Sequence, residues 1–287
     1  MAKCILITGA SGFIGCHTLR PLIELGHKVH TVSSRELDLL DTRSVREFVR
    51  KIRPTHLLHL AWLTTPGVFF ESPENLRWVE SSLALMDAFA EAGGKHFVGA
   101  GTCFEYDFPE GACIEGTTPE TPGSFYGICK QATSQLLKAF ALKLNLSFAW
   151  GRIFYLYGPH EREQRLVPSV VRGLLKNESV ACSQGNQIRD YLYVQDVADA
   201  FIELLESDAQ GIFNIGSGKP ISLRELVLAF GHALGLSELI QFGARPEIPG
   251  EPKCFYADNT KLIRSTHWFP QVSLQDGIEK TVTYWRL

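Results

Sequence analysis

The feature that most constrains the fold is a glycine-rich turn near the N-terminus, between a short apolar run and a helical run. Cys4 to Thr8 is apolar enough for a central parallel strand, and Gly9-Ala10-Ser11-Gly12-Phe13-Ile14-Gly15 follows it directly. Glycines at this spacing permit a tight bend, a close approach of the backbone to a pyrophosphate, and close packing of helix on strand. Backbone N–H groups at the start of the helix would face the anion. A connection without a ligand is the alternative, but the position after the first strand favours a dinucleotide site formed by Gly9, Ser11, Gly12, Phe13, Ile14 and Gly15.

Strand and helix patterns then alternate regularly along the first half of the chain. Further strands are expected at Lys28 to Val32, His56 to Leu60 and His96 to Ala100, with helices ending near Leu25, Ile52 and Ala92. Pro21 is a misfit inside the first of these helices and should kink it. This alternation predicts an α/β fold, a Rossmann-type doubly wound parallel sheet.

In open parallel sheets, ligands lie beyond the carboxyl ends of the strands. We therefore expect Leu60 and Ala61, at the end of the third strand, to contact the cofactor, and His59 to be packed rather than catalytic. Thr102 follows the fourth strand and is a candidate for the same edge.

The second strand ends in Ser33-Ser34-Arg35, without the acidic residue that would bond an adenosine ribose 2'-hydroxyl. Hydroxyls and a guanidinium would accept a 2'-phosphate, whereas a carboxylate would repel it. Ser34 and Arg35 therefore favour NADP(H), with NAD(H) as the alternative. Arg35 pointing into solvent is the competing interpretation.

Tyr126 and Lys130 stand four residues apart at the start of a strongly helical run, so both side chains lie on one face of the helix. An ammonium beside a phenol favours the phenolate and should lower the phenol's pKa, which prepares it as a general acid and base. A solvated helix face is the alternative for such a pair taken alone.

Composition excludes several classes of partner and site. The 287 residues are 45% hydrophobic and 21% charged, the formal net charge is -3, and no Lys/Arg block occurs, so neither nucleic acid nor an anionic membrane is an expected partner. The seven cysteines show no metal-ligand spacing, which indicates free thiols in a reducing compartment and no metal site. With no charged leader or long apolar run, we expect a cytoplasmic protein.

Taken in order, six motifs resemble those of the extended short-chain dehydrogenase/reductase family, the nucleotide-sugar epimerases, dehydratases and reductases. The resemblance covers nearly the whole chain and rests on Gly9-x-x-Gly12-x-x-Gly15, Thr102, Tyr126-x-x-x-Lys130, Arg152 to Pro159, Arg189 to Asp196, and Phe213 to Gly218. It implies that Tyr126 exchanges a proton with the substrate oxygen while the nicotinamide exchanges hydride. Lys130 would tune Tyr126 and hold the nicotinamide ribose, Thr102 would hydrogen-bond the substrate oxygen, and Asp41 would be the adenine-side acid.

Departures from the family pattern narrow the chemistry. In the dehydratases of this family the corresponding stretch resembles Thr-Asp-Glu, and its Asp and Glu are the acid and base that eliminate water. This chain reads Thr102-Cys103-Phe104 there, so that acid and base pair is absent. Phe104 also stands where reductases that first epimerise carry a cysteine. Tyr155 replaces the usual asparagine.

The resemblance divides the chain into a cofactor-binding domain, residues 1–155, and a smaller C-terminal α/β lobe, residues 156–287, with some later segments crossing back. It places a nucleotide-diphosphate sugar, the expected partner, against Arg165, Arg189 and Arg245, because guanidinium groups suit pyrophosphate oxygens. The family often pairs through the helix that carries Tyr126 and Lys130, so a homodimer is expected.

The expected function is NADPH-dependent reduction of a keto group on a nucleotide-activated sugar, with a 4-keto-6-deoxy sugar favoured. A nucleotide-sugar 4-epimerase that retains NAD tightly is the alternative, because it needs the same three catalytic residues. A non-catalytic binding protein on the same fold is a third possibility.

Overall fold

The computed structural model describes residues 2–287, which form thirteen strands and nine α-helices. The strands are β1 Cys4–Thr8, β2 Lys28–Val32, β3 His56–His59, β4 His96–Thr102, β5 Gly111–Cys113, β6 Ser147–Ile153, β7 Tyr155–Tyr157, β8 Val180–Cys182, β9 Ile188–Tyr193, β10 Gly211–Ile215, β11 Pro220–Ser222, β12 Ile240–Phe242 and β13 Phe255–Ala257. The helices are α1 Leu19–Glu24, α2 Thr42–Ile52, α3 Glu74–Glu91, α4 Phe125–Lys143, α5 Leu166–Leu175, α6 Val194–Glu206, α7 Leu223–Leu234, α8 Thr260–Ser265 and α9 Leu274–Trp285.

Six parallel strands form the main sheet in the order β10-β6-β4-β3-β1-β2. The strands next to the centre are apolar and almost wholly buried, as expected where helices cover both faces of a parallel sheet. The strand order reverses between β1 and β3, which opens a crevice at their carboxyl ends. This confirms the predicted Rossmann-type fold, and β10 shows that a segment well beyond residue 155 completes the main sheet.

The second half adds three small sheets outside the main one, in the orders β11-β9-β7, β12-β8 and β13-β5. A separate apolar cluster built on α5, α7 and α9 supports the first two, with Val171, Leu174, Leu226 and Ile278 fully buried, whereas the β13-β5 sheet packs in another cluster with Phe154. No helix in the described part of the chain is both long enough and apolar enough to span a bilayer.

The first helix departs from the sequence prediction. A 3₁₀ turn at Gly15–His17 precedes α1, which begins at Leu19. Pro21 therefore falls in the first turn of α1, where a backbone N–H has no partner within the helix. The helix therefore begins anew at Leu19, just before Pro21, and the expected kink is absent.

Candidate active site

One continuous cavity of about 570 Å³ runs from the glycine-rich turn to the smaller lobe. Its walls come from the loops after β1, β3, β4 and β7, together with the starts of α4 and α5. The volume is in the range that binding sites for small molecules occupy. Polar and aromatic side chains in its wall include Thr102, Phe104, Tyr126, Tyr155, Glu161 and Arg165.

The glycine-rich turn forms one end of this cavity. Gly9 has a φ of +75°, and a Cβ there would lie 2.8 Å from the backbone nitrogen of Ala61. A Cβ on Gly15 would overlap the carbonyl oxygen of Gly9. The backbone therefore forms a cradle that side chains would fill, as binding of a dinucleotide requires. Most residues predicted to bind the cofactor line the cavity: Gly9, Ser11, Gly12, Phe13, Ile14, Gly15, Ser34, Leu60 and Ala61.

Arg35 lies outside the cavity wall, although its neighbour Ser34 belongs to it. Close to Arg35 lies the carboxylate of Glu36, which the sequence analysis did not assign to the site. It accepts hydrogen bonds from the Ser33 backbone N–H at 3.0 Å and the Ser33 hydroxyl at 2.7 Å. The hydroxyl bond lowers the pKa of Glu36, so its charge persists at neutral pH. The end of β2 thus carries the negative charge of Glu36 as well as the positive charge of Arg35, whereas the sequence indicated only the positive one.

Asp41 is also outside the cavity wall and caps α2. Its carboxylate accepts the Ser44 hydroxyl at 2.6 Å and the backbone N–H groups of Arg43 and Ser44 at 3.2 and 3.3 Å. These bonds lower its pKa, the Ser44 hydroxyl contributing most. In this structure the carboxylate expected at the adenine serves the helix terminus.

Tyr126 is held at the start of α4, where the Ser124 hydroxyl caps the helix by accepting the Gly127 N–H at 3.1 Å. Its ring is buried against Phe69 and Phe70, with ring centroids 4.9 and 6.0 Å away. Burial raises the pKa of the phenol, and the nearby Thr102 hydroxyl opposes that shift. Thr102 and Tyr126 therefore meet in the cavity, as predicted.

Lys130 lies beneath this pair and is 4% exposed. Its ammonium donates to the Ala100 carbonyl at 2.9 Å and lies 3.8 Å from the centroid of the Trp62 ring. Burial lowers its pKa to about 7, while the Glu105 carboxylate opposes the shift. The sequence argument expected this ammonium to lower the pKa of Tyr126, but the phenol's pKa is raised, because burial among aromatic rings dominates.

Glu105 anchors the strand end that carries Thr102, a role that the sequence did not reveal. Its buried carboxylate accepts the Thr102 backbone N–H at 2.9 Å, the Trp150 indole N–H at 3.0 Å and the Arg152 guanidinium at 2.8 Å. Arg152 also pairs with Glu120 at 2.6 Å. The only sequence cue is the three-residue spacing from Thr102, since the other partners are remote in the chain.

The three arginines assigned to the substrate lie in different surroundings. Arg165 lines the cavity, with its guanidinium carbon 5.4 Å from the centroid of the Phe69 ring. Arg189 is buried away from the cavity wall, where it donates to Glu251 at 2.8 Å and packs over Phe255. Arg245 is exposed and outside the wall. The structure thus brings Arg165 alone of the three to the cavity.

His59 is packed, as expected, and takes no place in the cavity wall. Its Nδ1 lies 2.7 Å from the Thr8 hydroxyl oxygen and its Nε2 lies 2.9 Å from that of Ser82. Full burial lowers its pKa to about 3, so the ring is neutral. Cys103 is likewise buried.

Residues 5–216 match the model of the NAD dependent epimerase/dehydratase family, and the chain belongs to that family. The dTDP-6-deoxy-L-talose 4-dehydrogenase (NAD(+)) of Aggregatibacter actinomycetemcomitans is 30% identical over 79% of this chain and 88% of its own length. The UDP-glucose 4-epimerase of Corynebacterium glutamicum is 26% identical over 93% of this chain and 91% of its own.

Among solved structures, the UDP-glucose 4-epimerase of Thermotoga maritima with UDP-glucose superposes with a TM-score of 0.86 at 28% identity, covering 98% of both chains. The UDP-glucose 4-epimerase of Thermus thermophilus in complex with NAD gives 0.85 at 29% identity, also over 98% of both chains. The family and fold implied by the six sequence motifs are therefore confirmed.

Proposed function

We propose that this protein interconverts the two C4 epimers of a nucleoside diphosphate sugar, using a retained NAD. The observation that carries the proposal is the meeting of the Thr102 hydroxyl and the Tyr126 phenol in one cavity with the glycine-rich cradle. A dinucleotide in that cradle would extend towards the phenol. The similarity to UDP-glucose 4-epimerases supports the same reaction.

The residues of this chain would divide the proton chemistry between them. Tyr126, as a phenolate, takes the proton of the sugar 4-hydroxyl as hydride leaves C4, and the resulting neutral phenol returns that proton to the ketone oxygen when hydride comes back to the opposite face of C4. Thr102 orients the same oxygen by a second hydrogen bond. Lys130, one helical turn from Tyr126, would hold the cofactor ribose if its ammonium, which donates to the Ala100 carbonyl beside Trp62, turned towards the cavity. When bound, the nicotinamide supplies the hydride acceptor and donor.

The cofactor proposed is NAD rather than NADP, a change from the expectation based on Ser34 and Arg35. Glu36 is exposed and, like Arg35, outside the cavity wall, but its carboxylate at the end of β2 would repel a ribose 2'-phosphate and could accept a bond from a 2'-hydroxyl. Arg35, the residue expected to attract the phosphate, lies outside the cavity wall.

Arg165 is the proposed contact for the diphosphate of the nucleotide sugar. A guanidinium at the cavity wall can bind two phosphate oxygens at once. Arg189 could join it only if its ion pair with Glu251 were broken or extended to the ligand. Arg245 would need to move in from the surface.

The proposal is tested with purified protein, UDP-glucose or UDP-galactose, and no added cofactor. Proton NMR of the sugar should show conversion to the C4 epimer, and heat-denatured protein should release NAD. Stoichiometric consumption of NADPH on addition of a keto sugar, without any epimerisation, would contradict the proposal.

A 4-ketoreductase acting on a dTDP-linked 6-deoxy sugar is the second candidate. It is favoured by the 30% identity to a dTDP-6-deoxy-L-talose 4-dehydrogenase and by the aromatic side chains of Phe104 and Tyr155 in the cavity wall. An apolar wall suits the methyl group of a 6-deoxy sugar better than a hydroxymethyl group. Oxidation of NADH by dTDP-4-keto-6-deoxyglucose, followed by absorbance of the reduced nicotinamide, would identify this activity.

A further inference from the structure

Glu161 is a buried carboxyl in the cavity wall that the proposed reaction does not use. It follows β7 and is 9% exposed. Its Oε2 is buried and has no hydrogen-bond partner among residues 2–287. Since buried polar atoms are normally paired, an open oxygen at a cavity wall points to a partner in a bound ligand.

Glu161 lies in the same cavity wall as Arg165, the proposed contact for the diphosphate. The charge of Arg165, at the N-cap of α5, and the phenol of Tyr191, on β9, are near enough to influence its carboxyl. Arg165 lies over Phe69, whose ring is 4.9 Å from that of Tyr126. Both groups come from the second half of the chain, whereas the residue before Glu161, His160, packs against His17 just after the glycine-rich turn, with ring centroids 5.8 Å apart.

The chemistry of the carboxyl restricts what it can bind. Burial raises its pKa to about 8, although the Arg165 charge and the Gly158 backbone oppose the shift. An uncharged carboxyl offers one donor and one acceptor, which a sugar hydroxyl matches because it too has both. Diphosphate oxygens are acceptors that gain most from cations, so Arg165 suits them better.

We propose that the buried carboxyl of Glu161, whose Oε2 has no partner in the cavity wall, hydrogen-bonds a ring hydroxyl of the sugar and so determines which sugar nucleotides bind. This inference rests on the proposed function, because it deepens the assignment of the same site. When a sugar lacks the matching hydroxyl, the Glu161 oxygen stays buried without a partner. Binding of that sugar nucleotide is then weaker, which is how Glu161 discriminates between sugars.

Isothermal titration calorimetry of three variants tests the proposal. Glu161→Gln keeps one donor and one acceptor, Glu161→Leu removes both, and Glu163→Leu is the control at a largely exposed position two residues away. Each protein is titrated with UDP-glucose, dTDP-glucose and UDP alone, and with NADH after its retained NAD has been removed, at about pH 6.5 and about pH 9, on either side of the raised pKa. Circular dichroism melting checks that the variants fold.

At the lower pH, Glu161→Leu should weaken binding of the sugar nucleotide by about tenfold, the value of one well-placed hydrogen bond, without changing UDP or NADH binding. Glu161→Gln and Glu163→Leu should bind like the unmodified protein. At the higher pH, ionisation of Glu161 should weaken sugar-nucleotide binding by about tenfold in the unmodified protein but not in Glu161→Gln. Lys130 and Arg165 are present in both the unmodified protein and Glu161→Gln. A difference between these two proteins in how binding changes with pH therefore reports the ionisation of Glu161.

Equal losses for UDP and the sugar nucleotide, or a loss confined to NADH, would overturn the proposal by moving Glu161 to another subsite. Unchanged binding by Glu161→Leu would also overturn it while leaving the proposed function intact. If the unmodified protein bound neither sugar nucleotide, the proposed function and this inference would fall together.

Discussion

Tyr126 and Lys130 respond to burial in opposite directions, and both become uncharged more easily as a result. Burial disfavours the charged form of either group, so it raises the pKa of the phenol and lowers that of the ammonium. A neutral phenol at neutral pH is the form that donates a proton to a ketone. The residue-level chemistry thus depends on the aromatic enclosure as well as on the four-residue spacing.

The lowered pKa of Lys130 predicts a pH-dependent stability change in Lys130→Met. Below about pH 7 the folded protein must bury a charged ammonium that the unfolded chain leaves in water, so the substitution should raise the melting temperature. Between about pH 7 and the ordinary lysine pKa of about 10.5, the unfolded chain binds more protons than the folded one, so the gain should shrink as pH rises.

Thermal melts from about pH 6 to about pH 10 measure this effect, with Lys138→Met, at an exposed position on the same helix, as the control. A gain that grows with pH, or one shared by Lys138→Met, would contradict the burial of the Lys130 charge.

Glu36 carries the prediction about cofactor choice. Glu36→Lys should shift the ratio of NADPH to NADH affinity by at least about tenfold towards NADPH, because it replaces a repelling charge near Ser34 by an attracting one. Fluorescence titration with both cofactors measures the ratio, and Glu24→Lys, at an exposed position on α1, is the control.

Arg35→Asp examines the competing assignment in the same titration. We expect it to change NADH binding little. A protein that prefers NADPH, and loses that preference in Arg35→Asp alone, would restore the assignment to NADP(H).

At the scale of elements, the end of β4 is fixed to β6 by the buried carboxylate of Glu105. Its partners are the Thr102 N–H, the Trp150 indole and Arg152, so one residue orients the strand end that carries the active-site hydroxyl. Removing one member of a buried ion pair leaves the other charge uncompensated.

Glu105→Leu should lower the free energy of unfolding by about 3–5 kcal/mol, the range for a broken buried ion pair. Urea denaturation measures this loss, and Glu24→Leu, which breaks the exposed pair with Arg20, should leave the urea midpoint close to that of the unmodified protein. Equal losses in the two variants would show that the Glu105 network does not stabilise the fold.

The sequence predicts elements well where the information is local. Apolar runs and alternation located the main strands, and Ser124 and Ser222 start helices by capping that can be recognised in the sequence. Asp41 followed by Ser44 is a capping signal of the same kind, and its expected contact with the adenine stays a prediction. The pairings of Arg189 with Glu251 and Glu105 with Arg152 join residues far apart in the chain, so no local pattern revealed them.

At the scale of the whole molecule, an apolar surface on α3 and α4 supports the expected homodimer. Leu83, Ala84, Leu136 and Phe140 line a shallow hollow there together with Asp87, and Leu136 is 49% exposed. Leu136→Glu should convert the dimer to a monomer in light scattering after size-exclusion chromatography, because it places a charge in the apolar contact. Ile23→Glu, at an exposed position on α1, is the control; an unmodified protein that is monomeric would contradict the dimer.

The overall architecture was predictable because the alternation of strands and helices, and the glycine-rich turn, specify a doubly wound sheet. Some later segments were expected to cross back to that sheet, but the pairing of β10 with β6 and the three small sheets were not predicted, since strand pairing at long range leaves little trace in one sequence. The cavity forms where the two parts of the chain meet, so its outer wall, including Glu161, became visible only in the structure.

The most direct test of the central claim is C4 epimerisation by Tyr126→Phe, with Tyr256→Phe as the matched control outside the cavity wall. With UDP-glucose or UDP-galactose as substrate, loss of the acid and base should lower kcat by about 10²–10⁴-fold while the variant still retains NAD. Tyr256→Phe should turn over like the unmodified protein. Normal turnover by Tyr126→Phe would contradict the account, because hydride transfer would then proceed without the phenol on which the site is built.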